Sequence, residues 1–220
     1  LATTLRGRTI PIEVQPLSFA EFLSFRKVKI DKDSSAGQAR LKNELRQYIA
    51  QGGFPELLFI DPSLHRSVIE EYLDIMLYKD LTERFGVKNI ALMKYLLKYL
   101  MANVGGLITR NKIYNDLKSQ GFAVAKNTVY EYTAYLEEAF VVFFIDIMSG
   151  SVRKQAINPS KVYVTDPAFK YAMSMSNDEG RVLENMVYTE LRRRGHTVNY
   201  YAEKNETDFM SFILLDRTEA

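Results

Sequence analysis

Apolar positions follow a helical period over the first two thirds of the chain and change to continuous β-type runs near Phe140. The first thirty residues predict a short helix at Ala2–Leu5, a strand at Thr9–Val14 and a helix opened by Ser18, with Glu21 three positions on in capping-box spacing. Asp31–Gly37 (DKDSSAG) reads as a loop, and a helix follows from Gln38 to about Ala50. It stops at Gln51-Gly52-Gly53-Phe54-Pro55, where two glycines and a proline enforce a turn. A further helical stretch, Leu64–Arg84, is apolar at Val68, Tyr72, Ile75, Met76 and Leu81 and ends near Gly86.

The next block predicts three helices with short connections. Ile90–Met101 (IALMKYLLKYLM) is the first, Thr109 caps a second that ends at Gly121, and a third begins near Lys126 with Val129, Tyr132, Thr133, Leu136 and Phe140 on one face. Phe140–Met148 and Lys161–Thr165 then read as strands around a turn-rich basic link, Ser149–Pro159, and a hairpin after the third helix predicts a winged helix. The last block predicts a helix from about Arg181 to Arg194, stopped by Gly195, and strands at Val198–Tyr201 and Asp208–Leu215. The chain starts on a leucine in mid-element and stops soon after the last strand, so it reads as a fragment.

Composition alters this picture in two places. The chain has 220 residues, 47 % of them hydrophobic and 25 % charged, with no apolar run long enough to span a membrane and no basic-then-apolar leader, so it reads as cytoplasmic. It has no cysteine and two histidines, His65 and His196. That excludes disulfides and thiolate zinc sites and leaves a hard cation on carboxylates as the remaining kind of metal site. Net charge is only +2, but Gly86–Tyr130 carries seven cations against the single acid Asp116, a local balance of +6. Such a segment suits a nucleic-acid contact, and a solvated lysine face gives the same count.

In a DNA-reading winged helix the first turns of the third helix meet base edges, and basic residues nearby meet phosphates. Lys126, Asn127, Thr128 and Tyr130 are the candidates on that helix, exposed together with Glu131 and Ala134 if Val129, Tyr132 and Leu136 face the core. Arg110, Lys112, Arg153, Lys154 and Gln155 are candidate positioning contacts. Glu131, Glu137 and Glu138 count against phosphate binding unless they face away, and a winged helix that packs on a protein partner fits the same pattern.

Phosphodiester hydrolysis on a nuclease-type fold needs carboxylates that hold divalent ions and a lysine that steadies the developing charge. Glu184 and Asp208 are the carboxylates, but the lysine is expected on the next strand and none occurs after Lys204. They read as vestigial, the simpler role being to cap elements or satisfy backbone groups, with no catalytic residue and no metal assigned. Arg192-Arg193-Arg194 in a last helical turn is accounted for by the helix dipole. Asp80 and Asp166 read as helix or turn residues. Arg6 and Arg8 before the first strand invite comparison with arginines that sense a nucleotide phosphate, yet no GxxxxGK[ST] loop is present.

Taken together and in order, LRGRTIPIEVQPLSFAEFL (5–23), GGFPELL (52–58), YKDLTERF (78–85), TVYEYTAYLEEAFVVFFI (128–145), SVRKQAINPSKVYVTD (151–166), GRVLENMVYTELRRRG (180–195) and ETDF (206–209) resemble one family. It is that of prokaryotic AAA-type P-loop ATPases with a winged helix and a C-terminal nuclease-like domain of unassigned function. The resemblance implies a mainly helical α+β chain. Residues 1–30 would be the tail of the ATPase core, with Arg8 at a nucleotide-binding position, 31–85 a helical lid, 86–165 the winged helix and 166–220 a truncated restriction-endonuclease-like α/β domain. It further implies ATP and Mg²⁺ for the full-length protein and no cofactor for this chain. A strand missing after ETDF would leave an unpaired edge, and Ala125 stands where a serine cap is usual. The expected function is a DNA-binding module of an ATP-dependent protein. Its rival is an interaction or oligomerisation module acting on its own ATPase core or on further copies of the chain.

Overall fold

The computed structural model describes residues 13–173, 178–202 and 206–212. The predicted helix at Ala2–Leu5, most of the predicted first strand and Arg8 lie outside the described residues. Glu13 and Val14, at that strand's end, are irregular. The architecture is mainly helical α+β with small antiparallel sheets.

Helix α1 (Phe19–Phe25) begins as its capping box dictates. The Glu21 N–H donates to Ser18 Oγ (3.2 Å), and the Ser18 N–H donates to Glu21 Oε2 (2.7 Å). Helix α2 (Ser35–Gln51) starts before the predicted Gln38, because Ser34 caps it by accepting from the Gly37 N–H (3.0 Å). It ends at Gly52, whose φ of 79° favours glycine. Pro55–Phe59 and Pro62–Leu64 are short 3-10 turns that lead into α3 (His65–Met76), which runs on as a π-helical stretch, Leu77–Glu83.

The fully buried row of this long helix is Ile69, Leu73, Leu77 and Leu81; of the predicted positions Leu81 belongs to it, Val68 and Met76 pack partly buried against the same core, and Ile75 is 45 % exposed. A strict four-residue row drifts around a helix of 3.6 residues per turn. The wider i→i+5 winding of the π stretch turns it back toward the core.

Helices α4 (Ile90–Ala102), α5 (Arg110–Ser119) and α6 (Lys126–Glu138) follow, α4 capped by Asn89 and α5 by Thr109. Strand β1 (Leu107–Ile108) lies between α4 and α5, and β2 (Val142–Ile145) and β3 (Ser160–Val164) come after α6. The sheet order is β1-β3-β2, antiparallel throughout, with Leu107 opposite Lys161 and Val142 opposite Val164. Two predictions need correction here. Phe140 is not on the core face of α6: it follows the C-cap Ala139 with φ 55° and is 51 % exposed. The link Ser149–Pro159 is not all turn, because Val152–Ile157 forms α7, capped by Ser151.

The β2–β3 pair separates two cores. Val142, Val162 and Val164 join a large core with the row of α3, Leu96, Leu97 and Leu100 of α4, and Leu136 of α6. Phe143, Ile145 and Tyr163, one residue out of phase, join Tyr188 and Tyr200 in a second core. Each fully buried leucine contributes about 2 kcal/mol relative to exposure.

After β3 comes α8 (Pro167–Met173), a helix absent from the sequence expectations, which packs on α2, α3 and α4. Asp166 anchors its start. Its Oδ1 accepts from the Ala168 N–H (2.8 Å) and its Oδ2 from the Gly53 N–H (2.7 Å), so the distant GGFP and TDPAF motifs form one junction. A Cβ at Gly52 would lie 2.2 Å from Asp166 Oδ1, which makes glycine obligatory there on space as well as on φ.

Helix α9 (Glu179–Arg193) and strands β4 (Thr197–Ala202) and β5 (Glu206–Phe212) complete the described chain. β4 pairs antiparallel with β5, and Tyr200 of β4 also bridges to Ile147 just beyond β2. The Tyr200 N–H donates to Asp146 O (3.2 Å), and the Met148 N–H donates to Tyr200 O (2.6 Å).

Candidate functional site

β3 is buried on both faces, and at its start the odd-numbered side is occupied by a cation. Lys161, 3 % exposed, directs its ammonium between two carboxylates: Nζ donates to Glu184 Oε1 (3.1 Å) and to Asp208 Oδ1 (2.6 Å). Tyr163, two residues along the same face, donates its hydroxyl to Glu184 Oε1 (2.5 Å). Burial, then the hydrogen bond to Glu184 and the neighbouring negative charges, push the Tyr163 phenol far above its ordinary range, so it remains a donor.

Helix α9 is held against β3 by the residue next to Glu184. Asn185, 1 % exposed, accepts from the Val164 N–H (2.8 Å) through Oδ1 and donates to Val164 O (3.1 Å) through Nδ2. Its amide satisfies β3 backbone groups beyond the short β1. At Val162 the same need is met by Gly105, whose N–H donates to Val162 O (2.8 Å), and by Gly106, whose carbonyl accepts from the Val162 N–H (3.3 Å). Gly105 has φ 74°, and a Cβ there would come within 3.2 Å of Arg181 and 3.4 Å of Glu184 Oε2, so the absence of a side chain lets α9 approach.

The predicted carboxylates are therefore brought to one place, and the lysine joining them comes from β3 rather than from a strand after β5. The sequence expectation missed Lys161 and Tyr163. The available signal was a lysine at the head of the apolar run KVYV, where a charge needs a partner once the strand is buried. Glu184 is mostly enclosed and Asp208 half exposed, with side-chain exposures of 17 % and 58 %. Among the described residues no group of three or more His, Asp or Glu is placed to hold a metal ion.

The candidate nucleic-acid residues divide into two sets. Lys126, Asn127 and Tyr130 are exposed on the first turns of α6, with the Lys126 ammonium 6.0 Å from the Tyr130 ring centre; Thr128 is half buried. Val129, Tyr132 and Leu136 face the core as expected, and Glu131 and Ala134 share the outward side. Lys112 is exposed in the first turn of α5, and Arg153 and Lys154 are exposed on α7. Arg110 is engaged internally. It donates to Ser160 Oγ (3.1 Å), pairs with Glu137 (3.6 Å) and lies 4.1 Å over the Phe144 ring. Glu137 in turn accepts from the Phe144 N–H (3.2 Å); burial raises its pKa against the pull of that bond and of Arg110.

The arginines ending α9 do more than meet the helix dipole. Arg192 pairs with Glu13 and lies 4.2 Å over the Phe143 ring, Arg193 donates to Pro16 O and pairs with Glu21 (3.5 Å), and Arg194 pairs with Glu190 (2.8 Å). The turn thus ties the segment before α1 onto the last helix.

The chain is 36 % identical over 219 residues to an uncharacterised protein of Methanocaldococcus jannaschii, an alignment covering 96 % of this chain and 49 % of that protein. It is 31 % identical over 215 residues to an uncharacterised protein of Haemophilus influenzae, covering 96 % of this chain and 52 % of that one. The chain thus spans about half the length of the curated relatives it matches. No solved structure matches it. The profile described as "Domain of unknown function (DUF8612)" matches residues 42–180, which takes in the helices α3–α6, the β1-β3-β2 sheet and the first residues of α9. That match covers more than half of the chain, and the protein accordingly belongs to the DUF8612 family.

Proposed function

We propose that residues 90–164 form a winged helix that binds double-stranded DNA with α6 in the major groove, as one module of a longer ATP-dependent protein. The observation that carries this reading is the outward face of α6. Lys126, Asn127 and Tyr130 stand exposed on its first turns, on the last helix of an order α4-β1-α5-α6-β2-β3 whose strands pair as β1-β3-β2. Asn127 supplies the amide suited to an adenine edge, while Lys126 and Lys112 supply phosphate contacts. Arg153 and Lys154 on α7 extend the basic surface. Arg110, with its donors committed to Ser160 and Glu137, serves in this reading to brace the sheet. The residues after Asp166 form a nuclease-like block that holds Glu184 and Asp208 without hydrolysing DNA. The part of the relatives' length that this chain does not cover leaves room for the P-loop core, with ATP and Mg²⁺ bound there.

Fluorescence anisotropy with a labelled duplex at low and high salt tests the reading. Phosphate contacts require affinity that falls steeply with salt, and no binding at low salt overturns it. A second reading has its own support: α7 exposes Val152 (80 %) and Ile157 (68 %), apolar side chains better suited to a protein surface, the parent ATPase core or a second copy, than to phosphates. A chain that associates in light scattering and fails to bind DNA supports that alternative.

A further inference from the structure

We infer that the Lys161 ammonium is the resident counter-charge of Glu184 and Asp208, standing where a nuclease-type site would hold its divalent ion, so that this carboxylate pair excludes Mg²⁺ and Mn²⁺. The geometry does not fit a metal. A hard cation needs about six oxygens at roughly 2.0–2.6 Å. Here the space between the two carboxylates is filled by a nitrogen 3.1 Å from one and 2.6 Å from the other. A doubly charged ion between the same oxygens would touch the ammonium and be repelled by it.

The neighbours reinforce the exclusion. Glu184 Oε1 already accepts from Lys161 and from the Tyr163 hydroxyl, a protonated phenol that offers a donor where a metal needs a lone pair. Glu184 Oε2 faces Gly105. Lys161 cannot easily withdraw: it lies on the central strand of its sheet, paired with β1 and β2, and taking its charge from these partners into an apolar core is unfavourable. The cluster therefore acts as a tie between the β1-β3-β2 sheet and the α9, β4, β5 block. Its electrostatic role is complete without an ion.

Thermal denaturation of the full chain in EDTA and in Mn²⁺ tests this. The wild type and Asp208→Asn are expected to show no Mn²⁺-dependent rise in Tm. Lys161→Met, which keeps the apolar stem and removes the charge, is expected to gain a Mn²⁺-dependent rise that is lost again when Asp208→Asn is added. A Mn²⁺-dependent rise in the wild type that Asp208→Asn abolishes overturns the inference, and so does a folded Lys161→Met protein indifferent to Mn²⁺. If Lys161→Met does not fold, paramagnetic broadening by Mn²⁺ in the wild type decides. Unbroadened amides at Thr207–Phe209 support the exclusion, and selective broadening there overturns it.

Discussion

Lys161 on β3 and Glu184 on α9 are joined by a 3.1 Å ion pair whose ammonium is 3 % exposed, while the second carboxylate on that ammonium, Asp208, is half open to water. The two acids therefore differ in energetic weight. Removing the partner of a buried charge costs about 3–5 kcal/mol, whereas an exposed pair contributes about 1 kcal/mol or less. Glu184→Gln should lower unfolding free energy by about 3 kcal/mol and Asp208→Asn by no more than about 1 kcal/mol, as read from urea denaturation midpoints. Equal losses would show that the cluster is not graded by burial.

Asn185 gives a second test. Its amide is the partner of both Val164 backbone groups, so Asn185→Ala leaves a buried N–H and a buried C=O unmet, at about 1–3 kcal/mol for each group. Asn185→Asp keeps the acceptor but buries a carboxylate against the Val164 carbonyl, and at neutral pH should destabilise at least as much as Asn185→Ala. Hydrogen exchange at the Val164 amide should accelerate in Asn185→Ala more than at Val162, whose amide is bonded to Gly106.

Asp166 predicts a pH dependence. It is fully buried, and desolvation raises its carboxyl from the ordinary 3.8 to about 6, against the two backbone N–H bonds and the distant Arg193 charge that favour the ionised form. Between about pH 4 and pH 6 the folded protein then holds a proton that the unfolded chain has released. The stability this group contributes is present below pH 4 and is lost as pH rises through 6, a difference of roughly 3 kcal/mol. Asp166→Asn should flatten that part of the profile. It should also carry a pH-independent cost of about 1–3 kcal/mol for the acceptor lost toward Gly53 or Ala168.

Ala125 stands at the N-cap of α6 and makes no side-chain hydrogen bond there. Ala125→Ser supplies the missing acceptor and should stabilise the protein by about 1 kcal/mol, read as a higher denaturation midpoint.

What was legible in the sequence was local. The Ser18–Glu21 box, the Thr109 cap, the glycine stop at Gly52 and the burial of Val129, Tyr132 and Leu136 all follow from interactions within a turn or two of the chain. Along α3 and its π-helical continuation the buried row Ile69, Leu73, Leu77, Leu81 and the apolar positions Val68, Tyr72, Ile75 and Met76 form overlapping stripes, so the sequence pattern does not separate the fully buried side from its flank. Helix α8 leaves no periodic signal, because its short run PAFKYAM is buried almost all round and has no polar face. Glu184 and Asp208 were identified, but Lys161 lies on a strand whose residues all face one core or the other, so no alternation marked which side it served. Their meeting depends on the register of β3 against α9, and the Asn185 amide that sets this contact is a tertiary interaction.

The proposed reading of DNA by α6 is tested by the salt dependence of duplex affinity for the wild type and for Lys126→Ala. The expected result is an affinity whose logarithm falls linearly with the logarithm of salt concentration, with a slope smaller by about 1 in the variant, since one phosphate contact is removed. Binding that is absent at low salt, or a slope unchanged by Lys126→Ala, would contradict it.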